Sequence, residues 1–169
     1  MVTTLLDARR ARHIAATVPD PELPMLTLAD LGVLRDVALT EDGTVVASLT
    51  PTYSGCPAMA EMRADVAARL RDAGYARVEI RTVLDPPWTS DWITPAGRRK
   101  LTEHGIAPPG PAPRGGPVAL VLSPTRHAVT CPRCGSGDTE ETSRFAATSC
   151  KALWRCRDCR EPFEYVKEI

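Results

Sequence analysis

The sequence predicts an α+β fold: a small three-stranded sheet with helices on one face, followed by a β-rich ribbon. Three observations carry that expectation. The period of the apolar residues changes along the N-terminal part in the order helix, strand, strand, helix, strand, helix. A Pro/Gly-rich stretch from Gly105 to Pro117 then interrupts any regular pattern. Beyond it, two Cys-x-x-Cys pairs, Cys131/Cys134 and Cys156/Cys159, stand 21 residues apart among short alternating runs. The expected organisation is a domain over residues 1–104, a linker over 105–117 and a ribbon over 118–169.

Taken in order, Leu6, Arg10, Ile14 and Val18 recur at helical spacing, so a helix is expected from Leu5 and must end before Pro19. Pro19, Pro21 and Pro24 stiffen the next loop and exclude a helix interior. Leu26 to Leu31 suits one short helical turn, stopped by Gly32. Residues 33–39 and 45–50 alternate as two strands, and the Asp42-Gly43 pair between them is hairpin chemistry because glycine accepts positive φ. Met59, Met62, Val66 and Leu70 form the stripe of a helix over Ala58–Ala73, with Gly74 just past its end. Val78 and Ile80 mark a third strand over Arg77–Val83, and Pro95 opens a last helix reaching Glu103. In the tail, strands are expected around Ala128–Thr130, Thr139–Phe145, Ala152–Arg155 and Phe163–Lys167.

A Cys-x-x-Cys knuckle curls both sulfurs toward one point, and two knuckles complete a tetrahedral thiolate shell, for which zinc is the expected ion. The shell of Cys131, Cys134, Cys156 and Cys159 is closed, leaving no position for water or substrate, so the tail reads as a structural zinc ribbon rather than a zinc enzyme. So short a segment buries too little to fold alone, and metal supplies much of its stability. His127 lies close enough to Cys131 to compete as a ligand, but two complete knuckles make it unnecessary. Cys150 reads as a packed, non-ligating cysteine.

The gross composition narrows the function. Lys and Arg number 21 and so do Asp and Glu, which leaves no net field to attract nucleic acid or an anionic membrane. No apolar run approaches the ~20 residues a transmembrane helix needs. Charges at Asp7, Arg9 and Arg10 break the start of the chain before any signal core forms. The expectation is a soluble cytoplasmic protein whose cysteines bind metal rather than forming disulfides.

Cys56 stands apart from the quartet. Pro57 favours the first helical position, which puts Cys56 at or next to the N-cap, where backbone N–H groups and the helix dipole stabilise a thiolate. The plainer alternative is a capping or packed cysteine without chemistry. Asp20 and Glu22 sit on the stiff proline loop and, if they meet Cys56 in space, one thiolate with one or two carboxylates can hold iron weakly; Asp20 equally suits a turn or cap. Trp88 and Trp92 follow the last sheet strand, and each is either a cap on the core or part of an aromatic docking patch. No catalytic set accompanies them: there is no Glu-x-x-His pair of the di-iron kind, no Gly-rich dinucleotide fingerprint after a strand, and Ser54 lies in no G-x-S-x-G elbow.

The runs Asp20-Pro21-Glu22-Leu23-Pro24, Asp30-Leu31-Gly32, Leu49 to Pro57 and Asp85-Pro86-Pro87-Trp88 resemble the SufT-like iron–sulfur assembly domain. Together with Trp88-Thr89-Ser90-Asp91-Trp92-Ile93-Thr94 and the four-cysteine ribbon, they resemble the PaaD family, an accessory subunit of the phenylacetyl-CoA epoxidase (ring 1,2-epoxidase) system of phenylacetate catabolism. The resemblance runs from about Val18 to the end of the chain. It implies a non-catalytic protein that assists iron or iron–sulfur cluster loading of partner oxygenase and reductase subunits. The family's cysteine maps onto Cys56, its acidic loop onto Asp20 and Glu22, and its ribbon ligands onto Cys131, Cys134, Cys156 and Cys159. A homodimer that joins two Cys56 thiols is compatible with a [2Fe–2S] cluster. Two other readings compete. A nucleic-acid-binding or regulatory ribbon would use Arg133, Arg144, Arg155, Arg157 and Arg160, but Asp138, Glu140, Glu141, Asp158 and Glu161 interleave with them. A thiol enzyme built on Cys56 would need a base, and the sequence shows none nearby.

Overall fold

A computed structural model describes residues 7–53, 55–112 and 129–169. Leu5, Leu6, Ser54, His127, Ala128 and the 113–117 part of the expected linker lie outside the described residues. The chain forms two compact units, one comprising residues up to Trp88 together with Trp92–Gly97, the other Thr89–Asp91 together with Arg98–Ile169.

The first unit is a three-stranded sheet of β1 (Leu34–Leu39), β2 (Thr44–Leu49) and β3 (Arg77–Thr82) in that spatial order. β1 and β2 are antiparallel, and β2 and β3 are parallel across the helix between them. Helices α1 (Ala8–Ala16) and α2 (Met59–Asp72) pack on the sheet and on each other. The core beneath them comes from Val37, Val45, Ala47, Leu49, Met62, Val66 and Leu70. This is the predicted α+β class and element order.

Local chemistry fixes the ends. Asp7 caps α1, its Oδ1 accepting the Arg10 N–H at 2.7 Å. The buried contact of α1 is made by Ala11 and Ala15, which allow close approach to the sheet, while Ile14 is only half-buried. Past α2, the Tyr75 N–H reaches Leu70 O at 3.1 Å and the Gly74 N–H reaches Arg71 O at 2.9 Å, with Gly74 at φ 99. That is a Schellman ending, and it explains the glycine. Gly43 turns the β1–β2 hairpin at φ 79. Thr94 accepts the Gly97 N–H at 3.0 Å and so caps the start of α3 (Pro95–Glu103).

Residues 26–31 carry the single short turn expected of them: the Leu31 N–H reaches Thr27 O at 3.1 Å, and no longer helix follows. The Asp30 carboxylate accepts the Thr27 N–H at 3.0 Å, and the Thr27 hydroxyl accepts the Asp30 N–H at 3.1 Å, a reciprocal capping pair that frames the turn. Gly32 ends the segment as expected, at φ 69.

The second unit holds a four-stranded sheet in the order β4 (Ile106–Ala107), β7 (Pro162–Val166), β6 (Lys151–Cys156), β5 (Thr139–Ser143). β5, β6 and β7 fall where the tail pattern predicts strands, and they are antiparallel neighbours. Val129 and Thr130 carry no strand. The edge place is taken by β4, which pairs parallel to β7 through Ile106↔Glu164 and Ala107↔Tyr165. β4 lies inside the stretch expected to be linker. Proline is excluded from central strands but tolerated beside an edge, so the two residues ahead of Pro108 remain able to pair. One face of this sheet buries Trp154, Phe163 and Tyr165 against Ala107, Val129 and Ala152. On the other face Lys151, whose side chain is 7 % exposed, meets Glu164 at 2.7 Å.

Candidate functional site

The second unit brings Cys131, Cys134, Cys156 and Cys159 together, with all four sulfurs within 4.8 Å of one another. The Cys131 and Cys159 sulfurs are 3.7 Å apart and those of Cys134 and Cys156 are 3.6 Å apart. Four thiolates at about 2.3 Å from a central ion span tetrahedral edges of about 3.8 Å. The donor set therefore fits a closed four-sulfur metal site.

Two matching loops shape it. The Cys131 N–H donates to Ser136 O at 2.8 Å, and the Cys156 N–H donates to Glu161 O at 3.0 Å, each pair five residues apart. The residue after the second cysteine is left-handed in both, Gly135 at φ 77 and Arg160 at φ 62. The loops also turn backbone donors toward sulfur. The Cys159 N–H lowers the Cys156 thiol to about 7, with burial opposing it and the Asp158 N–H assisting. The Glu161 N–H acts the same way on Cys159, but burial and the neighbouring sulfurs outweigh it and push that thiol up to about 12. Cys134 is raised likewise, the Ser136 N–H being outweighed by burial and by Cys156 and Cys131. Four crowded sulfurs cannot all carry charge without a cation among them, and a bound metal removes that conflict. Among the described residues, which include all six cysteines, none forms a disulfide. Cys150 lies outside the quartet, its sulfur 3.2 Å from the Thr148 hydroxyl.

The first unit places Cys56, half-buried, in the turn that leads into α2. Its N–H donates to Tyr53 O at 3.1 Å, and its carbonyl accepts the Met59 N–H at 3.4 Å. The N-cap is Ala58, which makes no side-chain cap bond, so Cys56 stands two residues before the cap, one further out than expected. The turn bond from Met59 to Cys56 moves the helix start past Pro57. Ahead of this loop, the buried Thr50 hydroxyl has no hydrogen-bond partner.

Asp20 is 7 % exposed, and its Oδ1 accepts the Glu22 N–H at 2.9 Å and the Leu23 N–H at 2.8 Å. The carboxylate thus ties down the proline loop, the turn role open to it from sequence. Glu22 is half-buried. The two tryptophans separate. Trp88 is 5 % exposed and its indole N–H donates to Leu31 O at 2.9 Å, so it is a core residue. Trp92 is half-buried and carries the Arg35 guanidinium 3.5 Å from its ring centroid. The left-handed position of Arg160 and the buried Lys151–Glu164 pair escaped sequence reasoning. The first had a signal in its equivalence to Gly135 after the earlier knuckle; the second had none.

Comparison with known proteins sorts the two units. Residues 15–86 match the family described as iron–sulfur cluster assembly protein, and residues 116–167 match the PaaD zinc beta ribbon domain. The chain is 44 % identical over 156 residues to an Escherichia coli K12 protein named as a 1,2-phenylacetyl-CoA epoxidase subunit, covering 92 % of this chain and 90 % of that protein. It is 36 % identical over 75 residues to the Bacillus subtilis Fe-S protein maturation auxiliary factor YitW, covering 44 % of this chain and 72 % of the relative. The crystal structure of the DUF59 domain of unknown function from Bacillus anthracis aligns with a TM-score of 0.52 at 26 % identity, over 56 % of this chain and 90 % of that one.

Proposed function

The chain belongs to the PaaD family of 1,2-phenylacetyl-CoA epoxidase subunits, and on that premise we propose that it is a non-catalytic accessory protein that assists iron or iron–sulfur cluster loading of the oxygenase and reductase subunits. The observation that carries the proposal is Cys56, a half-buried thiol held in a turn at the head of α2, inside the segment that matches the iron–sulfur assembly family. The turn fixes the backbone on both sides of the sulfur while leaving part of the residue open to solvent. That combination suits transient contact with an iron species better than permanent storage. The buried Asp20 carboxylate braces its own proline loop, and Glu22 on that loop is the more accessible of the two acids.

In this reading the ribbon quartet holds one structural zinc through Cys131, Cys134, Cys156 and Cys159 and performs no chemistry, because a closed shell offers no open coordination position. Zinc is preferred over softer alternatives because four thiolates at tetrahedral spacing satisfy an ion with no geometric demand of its own. Trp92 with Arg35 is the better candidate for a docking surface, since Trp88 is buried in the core. Arg157 argues against a nucleic-acid role: it is engaged by Glu140 at 3.0 Å and by Asp138 at 3.5 Å.

The test is co-expression of the oxygenase and reductase partners with Cys56→Ala protein. The expected result is partners of normal yield with reduced iron content and weakened iron–sulfur absorption. Partners that emerge fully loaded and active would remove the thiol from the function.

A further inference from the structure

The two knuckles of the ribbon differ in what the residues between their cysteines do. In the second, both inner residues reach across to the chain that leaves the first. The Asp158 carboxylate accepts the Ser136 hydroxyl. Arg157 donates to Glu140 through Nε at 3.2 Å and Nη2 at 3.0 Å, and its guanidinium lies 3.5 Å from the Asp138 carboxylate. Its backbone N–H also donates, to Asp138 O at 2.9 Å. Pro132 and Arg133, the matching pair of the first knuckle, make no such bond among the described residues. Ser136 is held on three sides. Its carbonyl accepts the Cys131 N–H at 2.8 Å, its Oγ accepts the Asp138 N–H at 3.0 Å, and its hydroxyl proton goes to Asp158. One residue thus closes the loop of the first knuckle and ties it to the second.

Exposure says where the ion is vulnerable. Cys131 and Cys156 are buried, whereas Cys134 and Cys159 are exposed. An ion in a closed thiolate shell is lost when an incoming ligand displaces a sulfur, and the Cys134–Cys159 edge is where such a ligand can enter. Ser136 stands two residues past Cys134 and Asp158 immediately precedes Cys159, so their bond joins the knuckles at the exposed cysteine of each. Arg157 adds a second tie, from the same knuckle to β5, whose Thr139 faces Cys156 across the sheet. The Arg157, Asp138 and Glu140 side chains stay largely in solvent, and such pairs contribute little to the fold as a whole. Their leverage is local, because groups that orient metal ligands change metal affinity by about ten- to hundredfold.

We propose that Arg157 and Asp158 form a clasp with Ser136, Asp138 and Glu140 that holds the exposed edge of the cysteine quartet shut and sets the rate at which its metal is lost. The inference rests on the zinc reading of the quartet. The role is one of positioning, since the ligand set is complete without these side chains.

The experiment mixes full-length, zinc-loaded protein with excess pyridylazoresorcinol and follows the absorbance of the zinc complex that forms. Asp158→Ala and Ser136→Ala should each release zinc about ten- to hundredfold faster than the unmodified protein. The double variant should be no faster than either single one, because both remove the same bond. Asp158→Asn keeps an acceptor for the Ser136 hydroxyl and should restore slow release. Arg157→Ala should release about two- to fivefold faster, a difference that added salt should erase. Arg133→Ala, at the matching place in the first knuckle, should behave as the unmodified protein. Amide spectra of the zinc-loaded variants separate faster release from a misfolded ribbon, and where Asp158→Ala fails to fold, Ser136→Ala removes the same bond with a smaller loss of volume. Release unchanged in Ser136→Ala and Arg157→Ala, or accelerated equally in Arg133→Ala, would overturn the clasp and leave the zinc site standing. Protein that retains no zinc after purification would overturn the zinc reading, and the clasp with it.

Discussion

Gly32 and Gly43 allow a conformational cost to be separated from a packing cost within one unit. Both are left-handed, at φ 69 and φ 79. A Cβ placed on Gly43 meets only the flexible tip of Arg77, at 3.7 Å. A Cβ placed on Gly32 falls 2.6 Å from Trp92 Cβ and 2.8 Å from Trp92 O. Alanine at either site costs about 1–2 kcal/mol for the left-handed backbone, partly offset by about 0.4–1 kcal/mol from the stiffer unfolded chain. Gly32→Ala must in addition displace the backbone of Trp92, which carries Arg35 on its ring, and overpacking of that kind costs about 1–3 kcal/mol more. The expected order is therefore Gly43→Ala mildly destabilising and Gly32→Ala worse by about 1–3 kcal/mol. Urea unfolding in a Trp154→Phe background reads this directly, because the remaining indoles, Trp88 and Trp92, both belong to the first unit. Equal losses in the two variants would mean that the close approach of residues 32 and 92 contributes nothing, and the steric argument would be refuted.

Two further perturbations address the ribbon. Replacing Cys131 and Cys134 together by serine should abolish zinc binding and melt β5–β7, as should a strong chelator on the unmodified protein, while the amide spectrum of β1–β3 stays native; collapse of both sets of signals would contradict independent folding. Glu164→Gln leaves the Lys151 ammonium buried opposite a neutral group and should cost about 2 kcal/mol, less than the roughly 3–5 kcal/mol of a fully buried pair because Glu164 keeps some solvent. A Lys151→Met, Glu164→Leu double variant should recover most of that loss, and an unchanged midpoint in the single variant would show the pair to be solvated.

What the sequence disclosed depended on how local the cause was. Alternation through 33–39 and 45–50 with Asp42-Gly43 between them gave β1 and β2, and the Gly74 ending gave α2, because each signal acts within a few residues. The quartet was legible for the same reason: spacing alone aims both sulfurs of a knuckle. Distance in sequence hid the rest. Trp88 is buried by the carbonyl of Leu31, 57 residues away. Of the stripe read for the first helix, Ile14 is only half-buried, because α1 approaches closely through Ala11 and Ala15. Cys56 sits one position further from α2 than Pro57 suggested, since a turn bond to Met59 competes with the first helical bond.

The pairing of β4 with β7 has a practical bearing on how this architecture can be cut and recombined. A fragment excised at residue 118, where cysteine spacing alone would draw the border, leaves behind the short strand that shields one flank of the metal module. The bared flank of β7 offers main-chain groups at Glu164 and Tyr165 to any passing extended chain, a recipe for self-association. Transplanting the module intact calls for a cut upstream of Ile106, so its heritable unit is longer than the thiols that advertise it.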